Sequence, residues 1–492
     1  MTRREALAAA VALLAAAAVL FGPHVSNGGF YWDDWQNAAN THFARSPGLF
    51  GVLEGATERP VFGYRPVLTM LLAIEHSAFG LHMWLHLAMA ALFGVLVAWA
   101  LYVLLRTLGF DRLDSALPAG LLLAFPWVDS TRFWAAASYD TLAVALYLLG
   151  LVLAVRALRS GRTRLAAGSL VLYLLACWTY EIVTVGVLAS LAVYLLVAPR
   201  RAALRRFGVD ALLVAIALAL VASGTTRDPQ SLGDQIDHAG VIASQSFSLL
   251  ARAVVPVGSV PGIVGAVLLM AAVLLGWRRH DRRGLAVVGT SALFVAAGYV
   301  LFVPALPHYQ PLEPGTTNRM NVLAAVGLVV LVCALVRMAT GERRALALAL
   351  CALIATGYVV KVIDDRGDWE HSARAQERVL ASLPADAAPG TTFYTFGAPT
   401  FVAPNVPVFS LPFDLRAAVR LRYGDASLAA YPLAERSGIE CGRLGLQPTG
   451  GSYGPVHGEQ YGSAVLVDVP RHRAIPIRSR AECLPWQARL GR

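Results

Sequence analysis

Two adjacent carboxylates, Asp33 and Asp34, stand among aromatics in Tyr31-Trp32-Asp33-Asp34-Trp35. They follow an apolar N-terminal segment by about a dozen residues, which sets the aromatics at headgroup level if that segment lies in a bilayer. A carboxylate there can take the proton from an attacking hydroxyl. The same pair suits a hard cation, although nothing in the sequence completes an oxygen cage. It also suits a purely structural role, as a solvated acidic turn or as the N-cap of a helix beginning near Trp35. An attack that displaces a phosphate requires no acid for the leaving group, because phosphate departs as an anion. It requires positive charge, which Arg65 and Arg319 can supply.

Further ionisable residues gather in the same class of loop or at the ends of apolar stretches: Glu75, His76, Asp129, Arg132, Asp140, Glu181 and His308. Charge at the bilayer edge is costly unless it is paired or used. For each of them a snorkelling side chain or a structural ion pair, such as Asp129 with Arg132, is the competing account. Glu181 is the hardest to read as solvated surface, because Trp178-Thr179-Tyr180-Glu181 leaves only a very short turn between two apolar stretches. His82 and His86 have a metal-ligand spacing but no third ligand, so they read as structural. No metal ligands are assigned, and a need for a divalent cation stays open.

The elements that must carry these residues are membrane spans. The chain has 492 residues, of which 57% are hydrophobic and 15% charged. A spanning helix takes roughly 20 apolar residues, and about eleven stretches approach that length. They lie near 5–22, 82–105, 116–128, 140–157, 165–179, 182–198, 208–224, 259–277, 284–303, 320–338 and 345–361. Residues 1–22 have the basic, apolar and small-residue parts of a signal peptide and read as an uncleaved first span. The first outer loop, 23–81, is the longest before the tail, and Arg65–Phe79 within it reads as an amphipathic surface helix ended by Gly80.

The net charge of +10 is distributed in stripes. Arg3/Arg4, Arg106/Arg112, Arg156/Arg159/Arg162/Arg164, Arg200/Arg201/Arg205/Arg206, Arg278/Arg279/Arg282/Arg283 and Arg337/Arg343/Arg344 fill every second gap between apolar stretches. Those gaps face the cytoplasm. The N-terminus is therefore expected inside and the tail outside, and nucleic acid is excluded as a partner. Residues 1–362 are expected to form a membrane module. Residues 363–492, with β-prone runs at Thr391–Phe396 and Ala464–Val469, are expected to form a small extracytoplasmic α+β domain. Cys441 and Cys483 fall in that tail, where an oxidising compartment permits a disulfide, whereas Cys177, Cys333 and Cys351 read as small buried hydrophobes.

In order, these features resemble bacterial GT-C glycosyltransferases of the protein O-mannosyltransferase-like group. The resemblance rests on Asp33-Asp34, then Tyr64-Arg65-Pro66-Val67, Glu75 and Phe79-Gly80 in the first outer loop. It continues through Pro126-Trp127-Val128-Asp129, Trp134 and Asp140, then Tyr180-Glu181, which keeps the acid of a Lys-Glu pair and loses the lysine. Asn318-Arg319-Met320-Asn321 lacks the family's Tyr-Leu-Pro; Trp369 and Leu421-Arg422-Tyr423-Gly424-Asp425 follow the last span.

The resemblance implies an all-α polytopic GT-C-like fold, a catalytic acid in the first outer loop and a polyprenyl-phosphate sugar as donor, with inversion at the anomeric carbon. Asp33 or Asp34 is then the base, and Arg65, Glu75, Glu181 and Arg319 organise the donor. The implied partners are the lipid-linked donor, membrane lipids and an envelope acceptor, at the inner membrane of a bacterium. A transporter or lipid flippase would favour charges at the bilayer midplane, whereas here the span centres are apolar and the charges collect at one rim. An assembly factor anchored by its membrane part would not require so many spans.

Overall fold

The computed structural model describes residues 1–44, 46, 48–57, 60–224, 231–256, 258, 260–279, 281–305, 308–434, 437–449 and 459–490. Along the chain the helices are α1 (Arg3–Asn27), α2 (Asp33–His42), α3 (Gly48–Thr57), α4 (Pro66–Phe79), α5 (Met83–Leu108), α6 (Arg112–Leu123), α7 (Ser130–Phe133), α8 (Ser138–Ser160) and α9 (Thr163–Thr179). They continue as α10 (Val183–Val197), α11 (Arg200–Gly224), α12 (Leu232–Val254), α13 (Gly262–Arg278), α14 (Arg282–Tyr299), α15 (Val322–Thr340), α16 (Arg344–Ala381), α17 (Pro412–Tyr423) and α18 (Arg480–Leu490).

The protein is thus an all-α polytopic chain with a small strand-containing C-terminal region. Six segments among the described residues are long and apolar enough to cross a bilayer: Arg3–Asn27, Met83–Leu108, Ser138–Ser160, Arg282–Phe302, Gly315–Thr340 and Arg344–Ala381. Helices α4, α9, α10 and α13 are apolar and shorter. Each expected span overlaps a helix, but 116–128 is cut short, α11 begins at Arg200, eight residues before the expected 208–224, and α16 runs to Ala381, twenty residues past the expected end at 361. Helix α6 stops at Leu123 because Pro126 pushes Phe125 into an extended conformation (φ −66°, ψ 113°). Helix α12 falls where an outer loop was expected. Gly80 (φ +56°) ends α4 in the left-handed conformation that glycine tolerates best.

Packing divides the chain into two compact units. The first comprises Met1–Ser26, Ala56–Leu71 and Leu87–Arg366, the second Asn27–Gly55, Leu72–His86 and Gly367–Arg492. The first unit is a helical bundle closed by small residues. A Cβ on Gly298 would sit 2.6 Å from the Ala324 backbone N, and one on Gly150 would sit 2.7 Å from the Tyr173 ring, so α14 meets α15 and α8 meets α9 at close backbone range.

The second unit joins most of the first outer loop to the tail, which differs from a sequence boundary drawn at 362/363. The reason is burial. Phe30, Trp35, Ala38 and Ala39 share one apolar core with Val379, Phe393, Leu415, Ala418 and Val467. The strands β1 (Thr392–Phe396), β2 (Phe401–Ala403), β3 (Val406–Pro407), β4 (Ala429–Pro432), β5 (Gly438–Cys441), β6 (Gly445–Thr449), β7 (Glu459–Gln460), β8 (Ala464–Asp468) and β9 (Arg473–Ile477) form three sheets, and Ile439, Cys441, Leu446 and Ile477 belong to a second apolar cluster with Tyr394 and Leu466. The largest has the order β4-β1-β8-β9. Its β1 is parallel to both neighbours, which buries all five β1 residues. The two β-prone runs expected from the sequence are β1 and β8, paired with Thr392 opposite Ala464. Cys441 and Cys483 are joined as a disulfide tying β5 to α18.

Candidate active site

In the first unit, Arg65 closes the turn before α4, its N–H bonded to Val61 O at 2.8 Å. Pro66, without an N–H to satisfy, suits the first helical position that follows. The Arg65 guanidinium grips the Glu181 carboxylate with two bonds, Nε to Oε2 and Nη2 to Oε1, both 2.6 Å. Its Cζ lies over the Tyr180 ring, 4.1 Å from the centroid. Burial disfavours the Arg65 charge, but Glu181 and Tyr180 outweigh that cost and raise its pKa. Glu181 can reach outward because the chain between α9 and α10 is broken, with Tyr180 extended at φ −156° and ψ 122°.

Arg319 belongs to a 3₁₀ stretch, Gly315–Asn321, that two asparagines clamp. Asn318 donates to Asp129 Oδ1 at 2.5 Å and accepts from Ser130 Oγ at 2.5 Å. Asn321 donates to the carbonyls of Trp127 and Pro311, each at 2.9 Å, and accepts from Tyr299 Oη at 2.7 Å. Between these anchors the Arg319 guanidinium stands 5.1 Å from the Trp134 ring centroid and donates to Tyr309 Oη at 3.2 Å. Asp140 and Tyr180 act electrostatically on both Arg65 and Arg319. Two guanidiniums on aromatic faces therefore share one electrostatic neighbourhood, a form suited to holding phosphate.

Asp129 and Arg132 do not form the ion pair that served as a competing account. Arg132 directs Nη1 to Val128 O (2.8 Å) and Nη2 to Leu122 O (3.2 Å), while Asp129 takes Asn318. Burial and the nearby Asp365 push the Asp129 pKa up, and Asp365 in turn bonds Lys361 at 2.8 Å.

In the second unit the two adjacent acids part company. Helix α2 begins at Asp33, two residues before Trp35, so both acids lie in its first turn. Asp34 is 1% exposed and accepts the Tyr31 N–H at 3.0 Å, satisfying a donor ahead of the helix. Asp33 is exposed. The residue before it, Trp32, has φ +43°, an uncommon conformation for a bulky side chain. Its indole donates to Ser410 Oγ at 2.5 Å, and the Ser410 N–H donates to Asp414 Oδ2 at 3.1 Å. Tyr31 Oη donates to Trp369 O at 2.8 Å, and Trp35 Nε1 donates to Gln376 Oε1 at 2.8 Å. Asp414, buried in α17, has its pKa pushed up to about 7, chiefly by burial, with the Asp33 charge contributing.

Glu75 is also in the second unit, where its carboxylate meets His86 Nδ1 at 2.7 Å; His86 Nε2 donates to Gly80 O at 3.1 Å. Both His86 ring nitrogens are thus engaged, one by the Glu75 carboxylate and one by the Gly80 carbonyl. Of the expected site residues, Arg65, Glu181 and Arg319 belong to the first unit, and Asp33, Asp34 and Glu75 to the second.

Sequence reasoning missed the partners. Tyr309, Gln376, Ser410 and Asp414 carry no motif of their own, and Tyr180 and Trp134, though part of the motifs quoted above, gave no sign of serving as platforms for Arg65 and Arg319. Among the described residues no group of three or more His, Cys, Asp or Glu side chains is arranged to hold a metal ion.

No family model matches the sequence, and no curated protein matches it. Among solved structures, the chain is similar to an oligosaccharyltransferase of Archaeoglobus fulgidus, tethered through a disulfide to an acceptor peptide containing the NVT sequon. The identity is 14% and the TM-score 0.41, over 80% of this chain and 62% of that one. The chain thus spans less than two thirds of that protein's length.

Proposed function

We propose that the protein is a GT-C type glycosyltransferase that moves a sugar from a polyprenyl-phosphate donor to a cell-envelope acceptor at the outer face of a bacterial inner membrane, with inversion. The observation that carries this reading is the pair of guanidiniums on aromatic faces, Arg65 on Tyr180 and Arg319 on Trp134. Arginine presented this way suits a phosphate whose charge grows as it leaves. Glu181 aligns Arg65 by its two-point grip.

The acceptor oxygen attacks the anomeric carbon and forms the new C–O bond. The bond from that carbon to the phosphate oxygen breaks, the electron pair leaves with the polyprenyl phosphate, and the hydroxyl proton passes to Asp33. Exposure supports Asp33 over Asp34 as the base, because the Asp34 carboxylate is buried against the Tyr31 N–H. Glu75, matched with His86, acts as a brace for α4 and α5 rather than a donor ligand.

The test is to incubate the purified chain in liposomes with a panel of polyprenyl-phosphate sugars and an envelope extract, and to measure release of polyprenyl phosphate. Release from one donor, dependent on the extract, is expected. Movement of an intact donor across the bilayer without release would replace this reading with a transporter.

A further inference from the structure

A cavity of about 570 Å³ opens in the first unit at the arginine-rich ends of α5, α6 and α13–α16, and the proposed transfer makes no use of it. Four arginines from four successive helix ends line its mouth: Arg279, Arg283, Arg337 and Arg344. Its inner wall is apolar, with Leu105, Val287, Val330 and Ala334 among its members. Charge at the mouth over an apolar floor is the profile of a phospholipid, whose phosphate stays at the interface while its acyl chains run into the bilayer.

Three carboxylates, Asp111, Asp114 and Asp281, share the rim with the four arginines, so the lining keeps one net positive charge. Asp111 Oδ1 accepts the Asp114 N–H at 2.8 Å and caps α6; Asp281 Oδ1 accepts the Gly284 N–H at 2.8 Å and caps α14. Arg337 is ion-paired to Asp114 at 3.6 Å and Arg344 to Asp111 at 3.7 Å, long and solvent-accessible pairs of the weak kind that an incoming anion can compete with. Their side chains are 34% and 70% exposed. The other two arginines are anchored without a carboxylate, Arg279 by Met338 O at 2.6 Å and Arg283 by Gly109 O at 3.2 Å and the Phe110 ring. Anchored guanidiniums lose little freedom when an anion arrives.

We infer that this cavity binds the phosphodiester headgroup of an anionic phospholipid from the leaflet that the arginines face. Arg337 and Arg344 supply the contacts that an anion completes, and Arg279 and Arg283 supply fixed positive potential.

The test is native mass spectrometry on the delipidated full-length chain in detergent. It is titrated with phosphatidylglycerol, phosphatidylcholine, glycerol 3-phosphate and inorganic phosphate. Each arginine near an anionic headgroup contributes about a 5-fold gain in binding. The wild type is therefore expected to retain phosphatidylglycerol over phosphatidylcholine by at least about 5-fold. Arg337→Gln/Arg344→Gln is expected to lose most of that preference, and Arg3→Gln/Arg4→Gln, which removes two exposed charges elsewhere, to keep it. The single variant Arg344→Gln, at the most exposed position, gives the partial loss if the double variant melts early. Equal retention of the two lipids, equal loss in both double variants, or displacement of the lipid by glycerol 3-phosphate or inorganic phosphate would each overturn the assignment.

Discussion

Arg65 and Asp33 show how much of a residue's role is set by its neighbours. The Arg65 guanidinium is fixed by two bonds to Glu181 and by a ring face, so its charge has one orientation. Lysine keeps the charge but loses the fork and the stacking. Arg65→Lys is therefore expected to lower kcat/KM for the lipid donor by about 10- to 100-fold, the scale of removing one electrostatic donor, with the melting temperature little changed. Assays of donor release at varied donor concentration read this directly, and wild-type kcat/KM in the lysine variant would remove Arg65 from the donor site. The sequence identified Asp33-Asp34 as a pair but not its division of labour. Exposure of one carboxylate and burial of the next depends on which way α2 turns its inner face, and that is set by Trp35, Ala38 and Ala39 burying against residues more than 300 positions away.

At the scale of elements, α2 lies against α17, and the contact is polar at one end and apolar at the other. Trp32, Ser410 and Asp414 form the polar end; Trp35, Ala38, Leu415 and Ala418 share the core. Asp414 holds its proton up to about pH 7 in the folded chain, against an ordinary value of 3.8. Between roughly pH 4 and 7 the folded state binds this proton and the unfolded state does not, so stability falls as pH rises through that window. The melting temperature of the second unit is expected to drop between pH 5 and pH 8 in the wild type, and to drop less in Asp414→Asn. Identical slopes for the two proteins would contradict the assignment. Helix α12 was the element least legible in the sequence. Its Gln, Ser and His residues dilute the apolar signal, yet Ile242, Leu249 and Leu250 are buried, and His238 bonds the carbonyls of Val303 (3.1 Å) and Tyr309 (2.9 Å). An amphipathic helix buried on one side falls below a test for uniform apolarity.

For the whole molecule, the spans were readable because bilayer crossing imposes long apolar runs that local sequence displays directly. The union of the first outer loop with the tail was not, because it rests on long-range burial with no local mark. That union gives the tail a definite part in the proposed reaction, since the helix carrying Asp33 has its inner face in the tail's core. The central claim is that Asp33 is the base. It is tested most directly by comparing Asp33→Asn and wild type in liposomes, with a donor that the wild type consumes, following both turnover and melting temperature. A missing general base lowers rates by about 10²- to 10⁴-fold, so turnover is expected to fall by that much while melting and donor KM stay at wild-type values. Turnover within about 2-fold of wild type, far short of that range, would contradict the account.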